Sequence, residues 1–163
     1  MKRYALLARG AVLALLALGA GAACKDSGGP NTSVSFPALP SNLLEEFCHR
    51  GNALIGETKS GTLSSTDCDS RDSYYEIWRI RVASTTSVTF DLNSGFDNYL
   101  TVLRLESYST SNANLSIIGE NDDRSSSNLN AMVTVSLQPN VDYFVSVSGY
   151  DYSETGPYTL QIR

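Results

Sequence analysis

Seven short runs rich in apolar, aromatic and β-branched residues, separated by turn-forming clusters, follow one another from residue 74 onward. Apolar and polar residues alternate in most of them, which is typical of strands with one buried face. In the first run, Tyr74–Val82, Trp78 and Ile80 fall on one face. Arg79 and Arg81 fall on the other. The remaining runs are Ser87–Leu92, Asn98–Leu105, Leu115–Gly119, Ala131–Leu137, Tyr143–Val147 and Tyr158–Ile162.

These runs predict an all-β fold, since no segment shows a convincing helical period. Short strands with regular turn signals indicate an antiparallel β-sandwich of about seven to nine strands. Residues 41–163 are of a length that suits one domain. Its first residues, Ser41–Phe47, fit either a short helical turn or an extended arm.

Residues 1–23 are predicted to be a signal peptide, because a basic start precedes a run of uncharged apolar residues that is too short to span a bilayer. Two processing routes are open. Ala20–Ala22 is a site for ordinary secretory cleavage. Gly21–Cys24 resembles the lipobox of bacterial lipoproteins, which implies a lipid on Cys24. We therefore expect an exported protein, either a lipoprotein of the cell envelope or a secreted one. Residues 24–40, rich in Gly, Pro, Ser and Thr, are predicted to be a flexible tether.

Charge argues against nucleic acid as a partner. Removal of the leader leaves nine Lys and Arg against seventeen Asp and Glu, a net charge near −8. Such a surface repels phosphate and lacks the counterion release that drives nucleic-acid binding.

The three cysteines suggest one disulfide. If Cys24 carries lipid, Cys48 and Cys68 remain, and an oxidising compartment favours their pairing. Nineteen residues lie between them, and closing a loop of that size contributes roughly 3 kcal/mol in the chain-entropy model. The alternative is two free buried thiols.

Several short motifs follow one another in a fixed order across roughly residues 52–163. They are Gly61–Leu63, an Asp-rich loop, Tyr75–Ile80, Phe96–Leu100, Glu120–Asp123, Tyr143–Val147 and Gly156–Leu160. Their order resembles the bacterial pre-peptidase C-terminal domain, a jelly-roll-like β-sandwich of many secreted proteins. The resemblance implies a non-catalytic module, and the family includes the collagen-binding domains of secreted collagenases.

The Asp-rich loop, residues 67–72, is the first candidate calcium site. Clustered carboxylates are the hard oxygen ligands that calcium prefers. In the collagen-binding relatives, calcium is held between acids of an N-terminal arm and such a loop. The pattern of the loop predicts convergence of Asp67, Asp69 and Asp72. The resemblance matches Asp69–Asp72 to the calcium loop and makes Glu45 and Glu46 the candidates for the arm. The alternative is a solvated turn in which Arg71 offsets the acids.

Two further features are candidates for binding. A second acidic cluster, Glu120, Asp122 and Asp123, with Asp97 nearby, is either a metal site or a structural turn. Tyr150 and Tyr152 form a candidate recognition surface, because Tyr offers a large amphipathic contact at low entropic cost. Alternatively, one of them packs on the sandwich edge and the other is simply exposed.

Sequence motifs for catalysis are missing. His49 is the only histidine, and neither a Gly-x-Ser-x-Gly nor a His-Glu-x-x-His motif occurs. We therefore expect a non-catalytic binding or structural module that needs no cofactor, with calcium as the candidate ion. Its expected partners are a lipid bilayer through Cys24 and an unidentified extracellular protein or carbohydrate. The alternatives are a secreted accessory module and a hydrolase that uses paired carboxylates.

Overall fold

A computed structural model describes residues 34–70, 72–109 and 112–163. The predicted signal peptide, both processing sites and Cys24 lie outside the described residues. The one helix of the described ranges lacks the length and hydropathy needed to cross a bilayer. The described elements are, in order, α1 (Ser41–Glu46), β1 (His49–Ala53), β2 (Thr58–Leu63), β3 (Cys68–Asp69), β4 (Tyr74–Ile80), β5 (Thr86–Ser94), β6 (Asn98–Tyr108), β7 (Ala113–Asn121), β8 (Met132–Leu137), β9 (Tyr143–Gly149) and β10 (Gly156–Ile162).

The strands form two sheets. The larger has the order β1-β4-β9-β6-β7, with β3 also paired to β4, and the smaller has the order β2-β10-β5-β8. The pair β1–β4 is parallel, and the other pairs are antiparallel. The predicted all-β sandwich is confirmed.

The main core lies between the sheets and is built from the residues that the alternation turned inward. Phe90 and Leu92 of β5 face Ile80 of β4 and Val145 of β9 within one buried cluster. The other predicted inward positions that are buried in it are Val82, Val88, Ala131, Val133, Leu137, Tyr143, Val147, Tyr158, Leu160 and Ile162. Period-two patterning therefore located the core correctly.

A second, smaller core covers part of the outer face of the larger sheet. Leu39 packs there with Ile77, Leu105 and Phe144. Phe47 adds an edge-to-face contact with Phe144, with ring centroids 5.2 Å apart. The segment 34–47 therefore lies against this face, although the sequence assigned residues 34–40 to the tether.

Two outward arginines, Arg79 of β4 and Arg81 just after it, are buried beneath the same segment. Arg79 and Arg81 are only 3% and 8% exposed. The Nε of each lies near Asp142 Oδ1, at 2.7 and 3.7 Å, respectively. Arg81 also donates to the carbonyl of Ser35 at 3.0 Å, and Phe36 lies over Arg79. Ion pairing with Asp142 offsets the cost of burying these charges.

The three N-terminal strands were not predicted from the pattern. In β2 only Leu63 of six residues is buried, and in β1 only Ala53 of five. The strand β3 has only two residues. Such strands gain little from burial and therefore carry no clear hydrophobic period.

The predicted disulfide joins the end of the helical segment to β3. Of the two conformations open for Ser41–Phe47, the structure has the helix. Cys48 follows it in the left-handed region, with φ 47°, where the chain turns into β1. Cys48 and Cys68 are bonded, with their Cα atoms 5.8 Å apart.

Candidate functional site

A groove of about 500 Å³ crosses the outer face of the larger sheet. Its floor follows from strand register. Ser148 of β9 lies between Tyr75 of β4 and Tyr99 of β6. Two residues earlier in β9, Ser146 lies between Ile77 of β4 and Thr101 of β6. Small serines on the central strand, flanked by larger side chains, leave a trough.

Two loops and an apolar wall border this trough. Phe47, Leu103 and Leu115, which also pack on the second core, line its apolar wall. The Asp-rich loop contributes Asp69 and Asp72. The loop after β9 contributes Tyr150, which is 59% exposed.

The structure brings together two features that the sequence singled out separately. The ring of Tyr152 contacts Tyr74, at the start of β4, with centroids 5.1 Å apart. Partial desolvation, followed by the charges of Asp69 and Asp72, raises the pKa of Tyr152. The loop 150–154, called the tyrosine loop below, therefore lies beside the Asp-rich loop. Of the two tyrosines, Tyr152 packs on a neighbouring ring, whereas Tyr150 borders the groove.

The members of the first predicted calcium set lie in different places. Asp67 closes a turn, accepting hydrogen bonds from the backbone N–H and hydroxyl of Ser64 at 2.7 and 3.0 Å. It borders a separate cavity of about 330 Å³ with Glu45, whereas Asp69 and Asp72 line the groove. The side chain of Glu46 lies outside the described part. Among the described residues, the carboxylates of this set do not converge on one point.

The carboxylates of the second acidic cluster do converge, but Asp97 takes the place of Glu120. One carboxylate oxygen each from Asp97, Asp122 and Asp123 lies within 4.8 Å of the other two. Glu120 is not in the group and instead interacts with Tyr99. Desolvation, followed by that hydrogen bond, raises the pKa of Tyr99.

The converged carboxylates share an acidic environment. Burial, followed by the charges of Asp122 and Asp123 and then those of Glu154 and Asp151, raises the pKa of Asp97. Burial and the charge of Asp123 likewise raise the pKa of Asp122. Repulsion between such groups is relieved by a bound cation or a shared proton.

The sequence pattern did not single out one buried glutamate. Glu76 is fully buried beneath the sheet, and its Oε2 accepts a hydrogen bond from the Tyr158 hydroxyl at 2.5 Å. Trp78 donates to the same hydroxyl, and Arg50 lies 3.3 Å from Oε1. Burial raises the pKa of Glu76, against the opposing effects of Tyr158 and Arg50. The available signal was an acid at an inward position, two residues before Trp78.

Comparison with known proteins supports the fold. No family model matches the chain. A search of curated proteins also finds no match. The pre-peptidase C-terminal domain of a Bacillus anthracis collagenase is similar in structure, with a TM-score of 0.51 and 17% identity over 71% of this chain and 96% of that one.

Two further solved structures are more distant. One is PliG of Aeromonas hydrophila, a periplasmic inhibitor of g-type lysozyme, with a TM-score of 0.39 and 10% identity over 71% of this chain and 99% of that one. The other is CorA of Methylomicrobium album BG8, a surface-associated copper-binding protein, with a TM-score of 0.43 and 8% identity over 68% and 96% of the two chains. The collagenase domain is the comparison that bears on the fold, and with it the resemblance found in the sequence is confirmed at that level: the chain has the fold of the pre-peptidase C-terminal domain.

Proposed function

We propose that this protein is an exported, non-catalytic binding module whose groove holds an extended segment of another extracytoplasmic protein. The observation that carries the proposal is the groove itself. It joins a serine-floored trough, an apolar wall and a rim of acids and tyrosines. Its volume lies within the range of roughly 300–1,000 Å³ that is typical of ligand sites.

The chemistry of the rim favours a segment that carries a basic side chain. Among the described residues, Asp69 and Asp72 are the charged side chains that line the groove. The net charge of the chain without its leader, near −8, favours the approach of a cation. Tyr99 and Tyr150 supply amphipathic contacts, and Tyr150 offers a ring face for a cation.

Export and attachment complete the proposal. The Cys48–Cys68 disulfide is stable in oxidising compartments, which fits the predicted leader. A lipid on Cys24 would hold the module at the envelope. We expect labelling by a fatty-acid analogue in cells and its loss in Cys24→Ala. An unlabelled wild-type chain released to the medium would instead support secretion.

The groove is tested on peptide and glycan arrays probed with the oxidised chain. We expect binding to peptides with Lys or Arg beside apolar residues, and a loss of about tenfold or more in Tyr150→Ala, an effect of hot-spot size. Tyr108→Ala is the matched control, because Tyr108 is also half exposed but does not line the groove. Equal binding by Tyr150→Ala and wild type would contradict the proposal.

Charge and turnover separate the proposal from its alternatives. Asp72→Asn should weaken binding to basic peptides, whereas Glu106→Gln, an exposed acid away from the groove, should not. Binding to glycans alone would favour a carbohydrate module. A carboxylate hydrolase needs two acids, and two aspartates line the groove. Release of cleaved product from a bound peptide or glycan would therefore overturn the non-catalytic assignment.

A further inference from the structure

The acidic cluster at one end of the sandwich has the features of a cation site. Asp97 lies between β5 and β6, and Asp122 and Asp123 lie between β7 and β8. We propose that these three aspartates bind calcium. The proposal concerns a different site from the groove and does not rest on the proposed function.

The first support is the state of the carboxylate oxygens. The Oδ1 atoms of Asp97, Asp122 and Asp123 are each buried and have no hydrogen-bond partner among the described residues. A buried, unpaired carboxylate oxygen is costly, because it loses the hydrogen bonds of water and gains none. Three that face one another are costlier still. A cation that these oxygens ligate would remove both penalties.

The second support is the absence of a neutralising side chain in the described surroundings. Every neighbouring charge that shifts the pKa of Asp97 belongs to an acid. Arg124 follows Asp123 directly, yet its guanidinium pairs with Asp91 and donates to the carbonyl of Leu92. The nearest arginine in sequence is thus engaged elsewhere.

The donor set decides the kind of ion. The three groups offer only carboxylate oxygens, the hard ligands that calcium and magnesium prefer over zinc or copper. The ligands come from two separate loops, and calcium tolerates the irregular geometry that such loops provide. Magnesium demands a near-octahedral arrangement. Calcium is therefore the ion that suits this site.

The site is connected to the tyrosine loop through the backbone of Asp97. Its carbonyl accepts a hydrogen bond from the N–H of Tyr150 at 2.9 Å. Its own N–H donates to Glu154 Oε2, also at 2.9 Å. A cation held by Asp97 would steady both ends of the loop 150–154. Amide exchange in that loop should slow when calcium binds.

The test is a calorimetric titration of the oxidised chain with calcium, with magnesium in parallel. Asp122→Asn should weaken calcium binding by about tenfold or more, because it removes a charged ligand and keeps the size of the side chain. Asp72→Asn, in the other acidic loop, is the matched control and should bind as wild type does. Terbium luminescence sensitised by tyrosine gives a second readout, since Tyr99 senses the charge of Asp122.

The possible results of these measurements lead to different conclusions about the site. Calcium binding and slower exchange in wild type and Asp72→Asn, both lost in Asp122→Asn, would support the site. Calcium binding that Asp72→Asn abolishes and Asp122→Asn retains would overturn it in favour of the Asp-rich loop. A folded wild-type chain that neither binds calcium nor changes its melting temperature would also overturn it, and would point to a shared proton.

Discussion

The Asp-rich loop and the acidic cluster are built from the same kind of residue but end in different states. The loop concentrates Asp67, Asp69 and Asp72 within six residues, yet its acids point to different surroundings. The cluster draws Asp97 from a position 25 residues before Asp122, yet its oxygens meet within 4.8 Å. Closeness in sequence was the poorer guide to convergence.

The reason lies in backbone geometry and topology. Asp67 is held in a turn with Ser64 before β3, whereas Asp69, at the end of β3, lines the groove. The strands β6 and β7 are neighbours in the larger sheet and antiparallel. The segment before β6 and the segment after β7 therefore lie at the same end. Asp97 and Asp122 flank those two strands, so pairing brings them together.

The largest expected difference between the Asp-rich loop and the acidic cluster is how much the interaction that stabilises each contributes to the free energy of unfolding. The loop has a disulfide, and the cluster has only charges that a cation can relieve. The double substitution Cys48→Ser with Cys68→Ser should therefore lower the free energy of unfolding by about 3 kcal/mol. Chelation should cost less while calcium stays below roughly a hundred times its Kd, where its stabilisation is about 2.7 kcal/mol.

Urea unfolding measures both effects. Cys24→Ser is the control, since Cys24 takes no part in the Cys48–Cys68 bond, and it should leave the free energy unchanged. A larger loss from chelation than from removal of the disulfide would reverse our ranking of the two regions.

The pH dependence of stability should distinguish the regions next. The pKa values of Asp97 and Asp122 are raised in the folded state, so that state binds their protons more tightly than the unfolded chain does. Their contribution to stability is thus full below the unfolded pKa of about 3.9 and is lost as pH rises through the folded pKa. In chelator, Asp122→Asn should lose less stability than wild type between about pH 4 and neutrality.

Unfolding free energies of wild type and variant, taken across that range, test the sign. Burial also raises the pKa of Glu76, but this contribution is common to both chains and cancels in their difference. A steeper fall in Asp122→Asn than in wild type would contradict the repulsion that we infer for the cluster.

The smallest expected effect concerns the acids of the loop. Replacing Asp69 and Asp72 by Asn should lower the pKa of Tyr152 by less than about one pH unit, because exposed charges interact weakly through water. Ultraviolet titration follows the ionisation of tyrosine, and Tyr152→Phe assigns the signal. A comparable decrease in Asp122→Asn would show that Tyr152 senses the cluster rather than the loop.

Alternation was enough to predict the sandwich, because most strands of the core bury one face. Phe90, Val145 and Leu160 lie inward as the pattern requires. It failed for β1 and β2, where almost nothing is buried. It also could not show that Arg79 and Arg81 would be covered, since their cover and their partner Asp142 come from distant parts of the chain.

The candidate sites also divide into those that the sequence predicted and those that depended on strand pairing. The disulfide followed from counting cysteines in an exported chain, a property of composition. The groove depended on register, because Ser146 and Ser148 matter only once Tyr75 and Tyr99 lie on either side of them. The acidic cluster was named from its sequence as Glu120, Asp122 and Asp123. Asp97 was noted as a neighbour, but only the pairing of β6 with β7 showed that it converges with Asp122 and Asp123 in place of Glu120.

The packing of residues 34–40 on the larger sheet limits the length of chain that would connect the domain to a lipid anchor. A lipid on Cys24 would leave only residues 24–33 between the membrane surface and the docked segment. Ten residues span at most about 33–36 Å when fully extended. This connection is shorter than the seventeen residues of the predicted tether would allow. An anchored module would therefore sample a thin shell above the bilayer and meet only partners that reach close to that surface.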